Sequence, residues 1–315
     1  MKRSINIDVY GVSEVSSLLI AENILNIIEN FEKLDLRRLH NIVITDVFER
    51  THIVKENEFK DFNSSLAYAK VIIIPKEDDY EFVIVIRTDF AMNLIEENID
   101  SIKYSKYLNA VHVLHHELCH VHDYNQCIDI FKYDFLGKHK KGKEMILHPL
   151  SQICWSEYIA NYLSSSSARK SEMPKKTIDS FMVQIGESKI KIDKRIETFR
   201  ADKDILSLML FLKSTIEDLV KSSAYVLGYI HGMDKDIEKV YPKLHELIND
   251  SYFYYTWSYL NDVLKNMKKT YPNEWEEENV FENLIYGFDK LYTRLGIKLS
   301  ENDRNELFFE VQKRE

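Results

Sequence analysis

Apolar residues along the first third of the chain follow two different rhythms. Over 13–34, Leu18, Leu19, Ile24, Ile27, Ile28 and Phe31 keep helical spacing, which predicts an amphipathic helix. Three short runs rich in β-branched residues, 41–45, 69–75 and 81–87, predict strands, with the polar stretch 76–80 as a turn between the last two. Helical spacing returns over 104–114, where Leu108, Val111 and Leu114 share a face that Leu118 continues. Neither Pro nor Gly interrupts 105–123. A further helix is expected over 155–163, and 164–176, with its four serines and Pro174, has linker composition. Beyond it, 175–200, 202–231, 235–249, 251–270, 275–296 and 301–313 all read as helical, with few breakers and no repeat. The expected fold class is α+β: residues 1–165 carry a helix, a small mixed sheet and two further helices. A largely all-α C-terminal half, 175–315, packs on them.

The 105–123 helix carries the chemistry. His116-Glu117-Leu118-Cys119-His120 is an H-E-x-x-H motif. Positions i and i+4 share a helical face, so the imidazoles of His116 and His120 are placed to converge on one metal ion. Glu117, one step round, can act on a metal-bound water without being a ligand. A chain with 11 His and 51 acidic residues offers chance matches, but a buried helix seldom carries several unpaired histidines. Catalytic zinc takes three protein ligands and keeps a fourth position for water. A metzincin would complete the set with Gly at 123 and His or Asp at 126; this chain has Asp123 and Gln126. The 155–163 segment offers Glu157 instead. Glu157 shares a face with Asn161, Ala160 is small enough for close packing, and Ile159 and Leu163 add an apolar stripe. Asp123 is either a partner that orients a ligand imidazole or itself a ligand, with its short reach against the second role. His112 shares the His116 face, His115 and His122 are expected to point away, and Cys119 to face the core.

H-E-L-x-H followed by an E-x-x-A-N helix resembles the gluzincin side of the zincin metallopeptidases. It is most similar to the ImmA/IrrE type of small cytoplasmic bacterial enzymes. The resemblance spans about residues 65–165 and implies a zincin-like catalytic part. It implies Zn²⁺ held by His116, His120 and Glu157, with Glu117 as general base in a metalloendopeptidase acting on a protein or peptide substrate. An edge strand before the active helix would bind substrate main chain, and 81–87 is the candidate; its nearly unbroken apolar run equally allows an interior strand. A His or Tyr of the helical half would hold the oxyanion. Gly228 and Gly232, two of 8 glycines, bracket Tyr229 and His231. His231 is the first candidate and Tyr229 the second, with a helix-capping His as the alternative. The chain departs from the family pattern in its long 121–156 connection. Its 132–147 insert, with the basic run 138–143 between Gly137 and Gly142, is a candidate lid. The alternative function is a non-proteolytic regulatory or binding protein that retains a zincin metal site; the intact Glu117 speaks against it.

Composition narrows the setting. A formal charge of −9 disfavours nucleic acid as a partner. Cys119, Cys127 and Cys154 show no paired spacing, and no N-terminal signal pattern is present, so a reducing cytoplasm is expected. No apolar stretch approaches the length of a membrane span.

Overall fold

The structure, a computed structural model, describes residues 5–46, 68–77, 79–95, 101–132, 140–276 and 278–312. Among them the fold is α+β. The strands are β1 (Asn6–Val9), β2 (Leu39–Ile44), β3 (Ala69–Pro75), β4 (Tyr80–Ile86), β5 (Ile297–Glu301) and β6 (Leu307–Val311). The helices of the first half are α1 (Glu14–Glu29), α2 (Thr88–Ala91), α3 (Ser101–Phe131), α4 (Glu144–Leu163) and α5 (Ser165–Ala168). Those of the second are α6 (Met173–Asp202), α7 (Ile205–Gly232), α8 (Ile237–Val240), α9 (Pro242–Asn249), α10 (Tyr254–Thr270) and α11 (Glu282–Arg294). The chain forms two compact units, Met1–Asn125 with Leu163–Met173, and Gln126–Tyr162 with Pro174–Glu315.

In the first unit a mixed sheet has the order β1-β2-β4-β3, with β1, β2 and β4 parallel and β3 antiparallel to β4. Phe82 to Ile86 are all at most 2% exposed. Successive side chains of a strand point to opposite faces, so this burial requires cover on both. β4 is therefore an interior strand. The expectation that 81–87 offers an edge to a substrate is corrected: apolar side chains on both faces favour the centre of the sheet, and its edges are β1 and β3. Strand β1 has no counterpart in the sequence expectations, its four residues being too few for a periodic signal. Helix α1 is capped by Ser13, whose Oγ accepts from Ser16 N at 3.2 Å. It buries Ile20, Ile24 and Ile27, while Leu18 faces solvent.

Helix α3 extends beyond 105–123 at both ends. The connection between α1 and β2 clamps it. Asp35 N donates to His122 Nδ1 at 2.9 Å, Asn125 Nδ2 donates to Asp35 O at 2.7 Å, and Arg38 Nη1 donates to Asn125 Oδ1 at 3.1 Å. The stretch expected as a linker is structured. It contains α5, and Ser171 Oγ and Glu172 N donate to Asn109 Oδ1 at 2.9 and 3.0 Å. Helix α6 starts at Met173 because Pro174 is tolerated in a first turn, where its missing N–H is not needed.

The second unit is mainly helical, built on long apolar stripes such as Ile178, Phe181, Ile185, Ile192 and Ile196 of α6. Rings from α4 and from 271–281 form an aromatic core in which Trp155 stands 4.6 Å from Trp275 and 5.1 Å from Tyr271. Of the expected helix over 301–313, residues 301–311 instead belong to the β5–β6 hairpin, and 313 lies outside the described residues. Leu307 to Val311 alternate between half-buried and exposed, the period of a strand. Asn302 builds the turn by accepting from Arg304 N and Glu306 N at 2.9 and 3.0 Å. Part of the expected lid, 133–139, lies outside the described residues. The rest leads into α4, and Lys143 N donates to Glu301 Oε2 at 3.0 Å. Gly142, at φ +57°, leaves room for the Glu301 carboxylate where a Cβ would collide. No helix among the described residues is long and apolar enough to cross a membrane.

Candidate metal centre

Helix α3 turns sequence spacing into proximity. The Nε2 atoms of His116 and His120 stand 3.0 Å apart, with ring planes at 87°. Tyr124, one turn further on, stacks on the His120 ring at 5.7 Å. Ligand atoms of His116, His120 and Glu157 all lie within 4.8 Å of one another. Two imidazole nitrogens and a carboxylate oxygen are a donor set that suits a divalent metal ion. Glu117 and Asp123 are buried. Asp123 is not in the group, nor is His231. Burial first, then the charges of Asp123 and Glu117, push the Cys119 thiol well above its ordinary pKa.

The neighbouring histidines are occupied elsewhere. His112 Nδ1 and His115 Nδ1 each lie 2.9 Å from Ser167 Oγ, and that hydroxyl gives its proton to Ser164 O at 2.9 Å. A hydroxyl has one proton and two lone pairs, so Ser167 accepts from both rings, and both carry their proton on Nδ1. Burial holds them neutral: His112 is pushed well below the ordinary 6.5 and His115 down to about 3, with the nearby His116 adding to each. His115 also stacks flat on Phe31 at 3.5 Å.

On α4, Asn161 Nδ2 donates back to Glu157 O at 2.7 Å, fixing the turn that carries the third donor. Helix α7 packs against this turn. Lys221 Nζ lies 3.6 Å from Glu157 Oε1, and the Glu157 charge is the main reason its pKa is raised. A Cβ on Gly228 would lie 2.5 Å from Tyr158 O and 2.7 Å from Asn161 Cβ, so glycine permits the approach of the two helices. His231 lies 3.0 Å from both Tyr158 Oη and Asn261 Oδ1. An amide oxygen only accepts, so His231 Nε2 carries the proton and Nδ1 accepts from the tyrosine hydroxyl. Burial pushes His231 down to about 4 and keeps it in that neutral form. Burial and the Glu157 charge push Tyr229 up, so it stays a protonated phenol.

The structure thus brings together His116, His120 and Glu157 and gives His231 a different set of partners. Ser167 and Lys221 went unnoticed in the sequence, one in a serine run and the other among many exposed-looking lysines. Only their contacts mark them. Compared with known protein families, curated proteins and solved structures, the chain matches none.

Proposed function

We propose that the chain is a zinc-dependent metallopeptidase that hydrolyses peptide bonds of a protein or peptide substrate. The observation that carries this reading is the convergence of His116, His120 and Glu157, with Glu117 next to the first of them on α3. Two nitrogen ligands of a tetrahedral zinc, at bond lengths of about 2.0–2.1 Å, stand about 3.3 Å apart. The two Nε2 atoms at 3.0 Å are close to that edge. His116, His120 and Glu157 would hold the ion, which supplies Lewis acidity toward a carbonyl and a bound water of lowered pKa. Glu117 then takes the proton of the attacking water and returns it to the leaving amine. Of the two oxyanion candidates, Tyr229 is the one we favour. It keeps a proton in the field of Glu157, whereas the ring proton of His231 is given to Asn261.

Glu117→Gln separates binding from chemistry. The purified chain is expected to hold one zinc by native mass spectrometry and to cleave an unfolded protein or a random peptide library. The variant should keep the zinc and lose cleavage by roughly 10²–10⁴-fold, the usual share of a general acid–base group. Undiminished cleavage by the variant would sink the assignment. Zinc held without cleavage by the parent chain would favour a metal-binding regulatory protein.

A further inference from the structure

Helix α6 carries apolar residues on two opposite faces. Ile178, Phe181, Ile185 and Ile192 keep helical spacing and are buried. Val183 and Ile190, two turns apart on the other face, are 57% and 69% exposed. Gly186 lies between them and is exposed as well. Glycine inside a helix is less stable than alanine, because it gives up more backbone freedom on folding. Nothing in the fold asks for it at this position. Beyond its own stretch of helix, no atom of the described residues lies within 4 Å of where its Cβ would stand. A missing side chain between two exposed apolar ones makes a shallow notch, and a second helix can lie close there.

The charges on that face indicate which helix. Lys176, Asp179, Lys194 and Glu197 are exposed and continue the line of Val183 and Ile190 at spacings of three and four. When α6 is turned end for end about a point between Gly186 and Glu187, each position meets its complement. Val183 falls on Ile190, Asp179 on Lys194, and Lys176 on Glu197. A two-fold pair repeats every contact, so opposite charges meet on both sides of an apolar centre. Glu187, at that centre, is paired with Lys191 of its own helix at 2.7 Å, and it faces the notch at Gly186. We propose that α6 is a dimerisation surface, packing antiparallel against α6 of a second copy of this chain. With one helix from each partner the interface is small, and association in the micromolar range is expected. The surface is independent of the metal reading.

Sedimentation velocity of the full-length chain over a concentration series reads the association, with far-ultraviolet circular dichroism as the fold control. The parent chain is expected to pass from monomer to dimer in the micromolar range. Ile190→Glu places a charge in both apolar contacts and should leave a monomer throughout. Lys194→Glu sets a carboxylate against Asp179 twice and should weaken the dimer by roughly tenfold. Combining Asp179→Lys with Lys194→Glu restores opposite charges in the same register, and the double variant should recover the parental association. All three positions are exposed, so the substitutions leave the core intact. A parent chain that is monomeric at every concentration overturns the inference, as does a dimer that Ile190→Glu leaves intact. A double variant that associates no more tightly than Lys194→Glu alone overturns it too.

Discussion

A serine hydroxyl offers one proton and two lone pairs, and at Ser167 all three are committed: the proton to Ser164 O, the lone pairs to His112 and His115. Those two rings lie on α3 one and four residues before His116, so the hydroxyl fixes the rotation of the helix that presents His116 and His120. Ser167→Ala leaves two buried N–H donors without their acceptor. A loss of about 1–3 kcal/mol is expected for each donor so stranded, read as a lowered midpoint in urea unfolding. At this scale the sequence was readable where the chemistry is local. His116 and His120 are one helical turn apart, and any helix brings them together. Ser167 is 52 residues from His115, and nothing in a run of four serines marks which one meets a histidine.

Between α4 and α7, a single missing methyl group decides the distance. A Cβ at Gly228 would stand 2.5 Å from a backbone oxygen, which cannot rotate away. Gly228→Ala should therefore push the helices apart, destabilising the chain by about 1–3 kcal/mol as overpacking does. The change is read as a lowered midpoint in urea unfolding. The Gly228–Gly232 pair stood out in the sequence for bracketing Tyr229 and His231; the backbone of the Glu157 turn against Gly228 did not. Elements were legible where periodicity is long, as in α3, α6 and α7. Where it is short the reading was weaker: for β4 the interior place had stayed open beside the edge, and within 301–313 a strand of five residues is too brief to fix a period.

The histidines give the whole molecule a pH response. His112, His115, His122 and His231 are all pushed below 6.5, by burial first in each case. In the unfolded chain they titrate near 6.5, so between 6.5 and 4 the unfolded state binds protons that the folded state refuses. Stability is thus complete above 6.5 and is lost as pH falls toward 4. Urea unfolding of chelator-treated protein at pH 7.0 and pH 5.0 should show a lower midpoint at the acid value. His231→Gln should lessen that drop by up to about 1.4 kcal/mol per pH unit, the contribution of one proton. An equal drop in both proteins would mean that His231 titrates normally when folded.

By itself the sequence determined the α+β class, the long helices, and two imidazoles and a carboxylate one turn or one step apart on a single helix. Such features depend on periodicity and on neighbours within a few residues, which the backbone converts into geometry whatever the rest of the chain does. Glu157 was offered by the sequence as a third donor, and tertiary structure brought it near the two imidazoles. Tertiary structure alone decided the other pairings: Lys221 beside Glu157, Ser167 between two histidines, and Asn261 and Tyr158 on His231. These pairings join residues far apart in the chain. They depend on helix rotation and on how closely two backbones approach, and neither is written in local spacing.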